Sequence, residues 1–148
     1  MPSTVNRVPT NTAARVNQQI RDEMAERVRF YSAHPKRIPR RLKQLDKEWE
    51  IERVIEANAS LVALTGIGLG AATKDRRWLV LPALVTVFLF QHAIQGWCPP
   101  VPILRRLGFR TAHEIEQERH ALKALRGDFR AVQRATGRPQ AALKAVAA

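Results

Sequence analysis

The chain has 148 residues, a formal net charge of +12 and a pI near 11.3, and 45% of its residues are hydrophobic. These averages describe a small basic soluble protein, for which nucleic acid or an anionic membrane surface would be the first partners to consider. A single cysteine, Cys98, excludes an intrachain disulfide framework and a cysteine-cluster metal site. The charge is uneven, however, because residues 57–73 and 78–97 contain no charged side chain.

The N-terminal segment, residues 1–48, is predicted to form basic cytoplasmic helices. Residues 12–33 have the apolar spacing of an amphipathic helix, which His34 and Pro35 end. Its predicted apolar face is Val16, Ile20, Met24, Val28 and Tyr31. A second helix is predicted from Pro39, with Leu42, Leu45 and Trp49 on one side among basic residues. This pattern fits either an interfacial helix on an anionic leaflet or a solvated helix with an ordinary packing stripe.

Two apolar segments within residues 49–110 predict a transmembrane hairpin. The second, residues 78–97, would form a helix about 30 Å long with a tryptophan at each end, which matches a hydrocarbon core of about 30 Å. The first, residues 57–73, is shorter and contains three glycines, and it is a better candidate beside the second segment than alone. The alternative is a soluble hairpin with a buried core, but neither segment has a polar face at helical spacing.

The flanking charges predict the orientation of this hairpin. Residues 36–56 carry seven basic side chains and residues 98–115 carry three, whereas the loop at residues 74–77 carries three. The positive-inside rule therefore places both termini in the cytoplasm. Within the first helix, small residues four apart indicate close helix packing. They are Ala59, Ala63, Gly66 and Gly70.

The C-terminal segment, residues 111–148, is predicted to contain one amphipathic helix and a disordered tail. Thr111 and Glu114 have the spacing of a capping box, and the helix is predicted over residues 112–135. Its apolar stripe, which Glu118 interrupts, could pair with a second copy, with the helix at residues 12–33 or with a soluble partner. The stripe residues are Ile115, Leu122, Leu125, Phe129 and Val132. The last ten residues are predicted to be disordered.

Polar residues in the cytoplasmic third of the hairpin form the main candidate site. If position i faces roughly position 151 − i, five of them lie close together. They are Asn58, Ser60, Gln91, His92 and Gln95. The cluster is either interhelical hydrogen bonding, worth about 0.6 kcal/mol per contact, or a polar pathway or binding site with His92 as its key member.

Cys98 is a second candidate, as a reactive thiol. The same register places Arg53 nearby, and a guanidinium would favour the thiolate. The alternative is a small apolar residue at the membrane boundary, because free cysteines are often simply buried. No metal site and no cofactor are predicted.

Several short stretches resemble a known family. Trp49-Glu-Ile-Glu-Arg53, Asn58-Ala-Ser-Leu61, Gly96-Trp-Cys-Pro99 and Leu107-Gly108 are similar to the YgaP-like inner-membrane transmembrane domain family, over roughly residues 49–110. The resemblance implies a bacterial inner-membrane hairpin that is often dimeric and is sometimes fused to a sulfurtransferase (rhodanese) domain. The persulfide-forming loop of that domain is missing from this sequence, so its catalytic function does not carry over.

The function predicted from the sequence is therefore non-enzymatic. It is a multi-pass membrane anchor or oligomerisation module of the bacterial inner membrane, expected as a homodimer, which presents basic cytoplasmic helices to anionic headgroups. One alternative is a small transporter or sulfur-relay subunit that uses the His92 cluster and Cys98 with a separate sulfurtransferase. Another is a soluble nucleic-acid-binding protein. A nucleic-acid partner is not expected, because the sequence lacks interleaved aromatic residues and a recognition-helix signature.

Overall fold

The computed structural model describes residues 3, 5–130, 132 and 138–147, and these residues form helices without any strand. The predicted all-α fold class is therefore confirmed. The helices are α1 (Arg7–Thr10), α2 (Ala14–Ala33), α3 (Ile38–Leu45), α4 (Ile51–Thr73), α5 (Val80–Gln95), α6 (Val101–Arg106), α7 (Ala112–Arg126) and α8 (Arg138–Ala147). Short 3-10 turns, Pro35–Arg37 and Arg76–Leu79, lead into α3 and α5.

The chain divides into two compact units. The hairpin unit comprises residues 1–20 and 49–113, and the second unit comprises residues 21–48 and 114–148. The sequence placed boundaries after residues 48 and 110, close to two of these divisions. The described residues up to Ile20, however, belong to the hairpin unit, although the sequence assigned them to the N-terminal segment.

Helices α4 and α5 form the predicted hairpin, joined through Lys74 and Asp75. Helix α4 is about 34 Å long at about 1.5 Å per residue, and it begins six residues before the predicted span. Two stretches, Ile51–Thr73 and Arg76–Gln95, are long and apolar enough to cross a membrane. The second ends before Trp97 because Gly96 adopts a left-handed conformation with φ of 74°. Asp75 caps the turn before α5, since its Oδ1 accepts a hydrogen bond from the Arg77 backbone at 2.9 Å.

Small residues of α4 face α5 within the same hairpin. A Cβ added to Gly66 would stand 2.7 Å from Pro82 Cδ and 3.1 Å from Leu81 Cβ. Gly66 therefore faces Pro82, which is three residues nearer the loop than the predicted partner at position 85, a difference of about one helical turn. Gly70 lies against Trp78, where an added Cβ would make ordinary contact at 3.5 Å. Ala63 is half-buried on the same helix.

We expect Gly66→Ala to destabilise the hairpin by about 1–3 kcal/mol, because the new methyl group overpacks against the rigid proline ring. Gly68→Ala is the matched control, since an added Cβ there meets nothing within 4 Å and alanine favours a helix. Unfolding of both variants in mixed micelles with increasing SDS, followed by tryptophan fluorescence, measures the difference. Equal stability of the two variants would contradict the close approach at Gly66.

The second unit has its own apolar core, formed by α3 and α7. Its buried members are Ile38, Leu42, Leu45, Ile115 and Leu122, with Tyr31 packed against them. The packing interpretation of α3 is therefore supported over the interfacial one, because the apolar face that would enter a leaflet is covered. Ile115 and Leu122 of the α7 stripe pack with α3, which was not among its predicted partners, while Leu125 is 42% exposed. Trp49, which was predicted to extend the α3 stripe, belongs to the hairpin unit and is 47% exposed.

Glu118 interrupts the α7 stripe because it is an ion-pair centre. Its side chain is fully buried, and its carboxylate accepts hydrogen bonds from Arg41 Nε at 2.8 Å, Arg41 Nη2 at 3.2 Å and Arg27 Nε at 3.2 Å. Burial opposes the charged form of Arg41, but the hydrogen bond with Glu118 and the charge of its carboxylate outweigh burial, so the pKa of Arg41 lies above its ordinary value. The carboxylate of Glu118 on α7 thus forms ion pairs with both α2 and α3.

The C-terminal part differs from its prediction in two places. Helix α7 ends at Arg126, nine residues before the predicted end, because Gly127 adopts φ of 90° and its backbone N–H bonds to the Lys123 carbonyl at 3.0 Å. Most of the predicted disordered tail forms α8 (Arg138–Ala147), whose Val146 carbonyl accepts a hydrogen bond from Lys123 Nζ at 2.8 Å. The prediction of disorder for the last ten residues is therefore wrong for residues 139–147, where alanine and leucine favour a helix.

Candidate functional site

Cys98 and His92 form a buried pair at the end of α5. Gly96 ends the helix and reverses the chain, so that Cys98 Sγ lies 3.6 Å from His92 Nδ1, within hydrogen-bonding distance for sulfur. Only 2% of Cys98 and 6% of His92 are exposed. His92 Nε2 is buried and has no hydrogen-bond partner among the described residues. A buried nitrogen without a partner is uncommon, which marks this ring as a candidate for chemistry.

The surroundings of the thiol are apolar. Cys98 belongs to the core of the hairpin unit, together with Val8, Ile51, Ile55 and Val101. Burial raises the pKa of the Cys98 thiol, and a hydrogen bond with the Val101 backbone offsets only part of this effect. A nearby arginine would lower the pKa of the thiol. The pKa is raised, so the predicted activation of Cys98 by Arg53 needs correction.

Arg53 has a different neighbour. Its guanidinium lies over the Trp49 ring, 4.6 Å from the ring centroid, in a cation–π contact. The predicted register was about one turn off, which removes the geometric reason for placing Arg53 beside Cys98. The titratable side chain that the structure places against the thiol is His92.

The first residues of the chain cover this end of the hairpin. Arg7 Nη1 donates to the Ala93 carbonyl at 2.9 Å, and Asn11 Nδ2 donates to the Gln95 carbonyl at 2.7 Å. These bonds satisfy carbonyl groups that a helix C-terminus leaves without partners, and a cation is favourable there. The Arg7 backbone approaches so closely that a Cβ on Gly96 would stand 2.5 Å from the Arg7 carbonyl carbon.

The predicted polar cluster is distributed over separate arrangements. Gln91 Nε2 donates to Gln95 Oε1 at 3.5 Å on the surface of α5. Asn58 Nδ2 donates to the Val54 carbonyl at 2.7 Å within its own helix, and Ser60 is exposed. His92 is paired with Cys98 and not with these groups. The role of His92 as the key member of a polar site therefore stays a prediction.

An apolar cavity of about 500 Å³ adjoins Cys98, and His92 lies outside its wall. It lies between α4, α5 and the segment after α5, and its wall includes Cys98, Asn58, Ala59, Phe88 and Leu89. Its size is within the range of about 300–1,000 Å³ typical of small-molecule sites. Asn58 and Cys98 are thus brought to one cavity, an association that the predicted register did not indicate.

Sequence reasoning missed the covering segment and the Cys98–His92 contact. One signal was available, because a glycine just after an apolar helix commonly turns the chain back on its last turn. That turn brings residues shortly after Gly96 to residues shortly before it. The contact of Arg7 and Asn11 with α5 had no comparable signal, since it joins residues more than 80 positions apart.

Among the described residues, no three His, Cys, Asp or Glu side chains are grouped so that they could hold a metal ion. Comparison with known proteins adds no relative: no family model matches the sequence, and neither a curated protein nor a solved structure matches it significantly. The resemblance to the YgaP-like family therefore stays a prediction. The functional interpretation depends on the chain's own chemistry.

Proposed function

We propose that this protein is a small integral membrane protein of the bacterial inner membrane, anchored by α4 and α5. The observation that carries the proposal is the exposure of large apolar side chains along both helices. Only 17% of the apolar window in α4 and 6% of that in the second stretch are buried. Leu61, Leu64, Val87 and Phe90 are each more than 60% exposed. In water such a surface would promote association, whereas in lipid it is the expected composition.

In this proposal both termini lie in the cytoplasm, and the basic α2 and α3 act as a surface for anionic headgroups. Each basic residue close to such a leaflet contributes about 1 kcal/mol. Arg40, Lys43 and Lys47 are exposed, while the apolar face of α3 is packed. The proposed contact between α3 and the headgroups is therefore electrostatic, and α3 does not insert into the leaflet. A homodimer of YgaP-like type is part of the proposal, and exposed faces of α4 and α5 are available for it.

A charge placed in the middle of α5 tests the anchor. Leu84 is 51% exposed, and an arginine there is expected to oppose insertion by about 2.5–3.5 kcal/mol. Leu125→Arg is the matched control, because Leu125 is 42% exposed but lies outside both apolar stretches. We expect alkaline carbonate to leave the unmodified chain and Leu125→Arg in the membrane pellet and to release a large fraction of Leu84→Arg. Release of the unmodified chain would overturn the proposal.

A sulfur-relay role, in which Cys98 carries the sulfur, is the second candidate function. A thiol that exchanges sulfur with a separate sulfurtransferase has to reach that protein's active site. Cys98 is 2% exposed and is covered by Val8 and its neighbours in the core. The arrangement favours a reactant that approaches through the apolar cavity over a protein partner.

A further inference from the structure

We infer that Cys98 is an S-acylation site: it accepts a long-chain acyl group from an acyl thioester, and the acyl chain occupies the cavity between α4 and α5. The inference rests on the proposed membrane location, because the cavity would then open toward hydrocarbon. Two independent observations carry it. They are the Cys98–His92 contact with its partnerless ring nitrogen, and an apolar cavity that includes Cys98 in its wall.

The pair has the composition of a nucleophile with an adjacent base. A thiol is activated when a neighbouring group can take its proton during attack, and His92 Nδ1 is 3.6 Å from the sulfur. Burial keeps the resting thiol protonated, so the proton must be removed during the reaction. His92 is the titratable side chain in contact with Cys98, and it is therefore the group that we assign as base.

The proposed reaction is thiol–thioester exchange. Cys98 Sγ attacks the carbonyl carbon of the donor and forms the new carbon–sulfur bond, while the thiol proton passes to His92 Nδ1. The carbon–sulfur bond of the donor breaks, and its leaving thiolate recovers the proton from His92. The products are S-acyl Cys98 and the free donor thiol. No oxidant or reductant is consumed.

The cavity determines which acyl group fits. Its wall is apolar, with Phe88 and Leu89 from α5 and Ala59 from α4, and Asn58 is its amide-bearing residue. An alkyl chain gains by leaving water for such a space, and the gain grows with each methylene that is buried. A short acyl group gains little of this. The site should therefore select long chains over short ones.

The experiment uses the full chain in phospholipid nanodiscs with hexadecanoyl-coenzyme A or acetyl-coenzyme A at equal concentration. Intact-protein mass spectrometry is expected to show one hexadecanoyl group, removed by neutral hydroxylamine, and at least tenfold slower acetylation. Cys98→Ala should acquire none. His92→Phe should react at least tenfold more slowly, as loss of a general base predicts. Its labelling by a small alkylating reagent in SDS should be unchanged.

Comparable rates for the two donors, or a rate no higher than that of the chain unfolded in SDS, would overturn the inference. These outcomes need no variant, so a folding defect cannot explain them. Ala59→Phe provides a further check, because filling the cavity should slow hexadecanoylation, and an unchanged rate would contradict the proposed acyl site. Absence of acylation in a chain that resists carbonate extraction would reject this inference alone. Release by carbonate would reject the membrane location instead.

Discussion

Replacement of Glu118 by alanine is expected to destabilise the second unit by about 3 kcal/mol. The substitution leaves Arg27 and Arg41 without the fully buried carboxylate that accepts their hydrogen bonds. Breaking a buried ion pair costs about 3–5 kcal/mol, and the lower end applies because the two arginine side chains are 30% and 16% exposed. Hydrogen–deuterium exchange of peptides from α3 and α7 measures the loss directly.

Glu116→Ala is the matched control for this prediction. Glu116 lies on the same helix and pairs with Arg119, but its side chain is 48% exposed. Exposed pairs contribute about 0–1 kcal/mol, so protection in α3 and α7 should remain close to that of the unmodified chain. If Glu118→Ala and Glu116→Ala lose protection equally, the ion-pair centre does not stabilise this unit.

Gly96→Ala is expected to detach the first residues of the chain from the end of α5. The position has φ of 74°, and an alanine methyl group would also collide with the Arg7 backbone. The left-handed conformation costs a non-glycine residue about 1–2 kcal/mol. Detachment would also uncover Val8, now 1% exposed, and with it the core that contains Cys98. Labelling of Cys98 by a maleimide should then accelerate at least tenfold, since about 1.4 kcal/mol corresponds to tenfold in an equilibrium.

Gly108→Ala separates backbone strain from the collision. Gly108 has φ of 89°, but an added Cβ there meets nothing within 4 Å. This variant should show the strain alone and leave the labelling rate of Cys98 within about threefold of the unmodified chain. Equal acceleration in both variants would mean that strain, and not contact with Arg7, governs access to the thiol.

The hairpin was predictable because its signal is local and strong. Two uncharged stretches separated by four charged residues leave few alternatives to a pair of apolar helices. The start of α7 at Ala112 was predictable for the same reason, from the capping pattern that begins at Thr111. The end of α7 was not predictable, because the apolar spacing continues past Gly127. The left-handed conformation of Gly127 ends the helix before that spacing does.

The candidate site was only half predictable. His92 attracted attention as an ionisable group within an apolar segment, and Cys98 as a lone thiol, but their contact depends on a turn at Gly96. The register error of one turn then gave Cys98 the wrong neighbour, since a hairpin register depends on where the loop turns. The role of Glu118 was hidden for a different reason. In the sequence, an acid within an apolar stripe looks like an interruption of the packing face. Its role in an ion pair is visible only when the structure shows that Arg27 and Arg41 bind it.

The contacts of Arg7 and Asn11 with α5 have a consequence for the order of folding. They join positions 86 and 84 residues apart, so closing them costs more chain entropy than forming the hairpin, whose partners are near in sequence. Arg7 and Asn11 are thus among the last of these residues to reach their native position. Until their contacts close, Val8 stays outside the core that it shares with Cys98, and the folding chain passes through a stage in which Cys98 is uncovered.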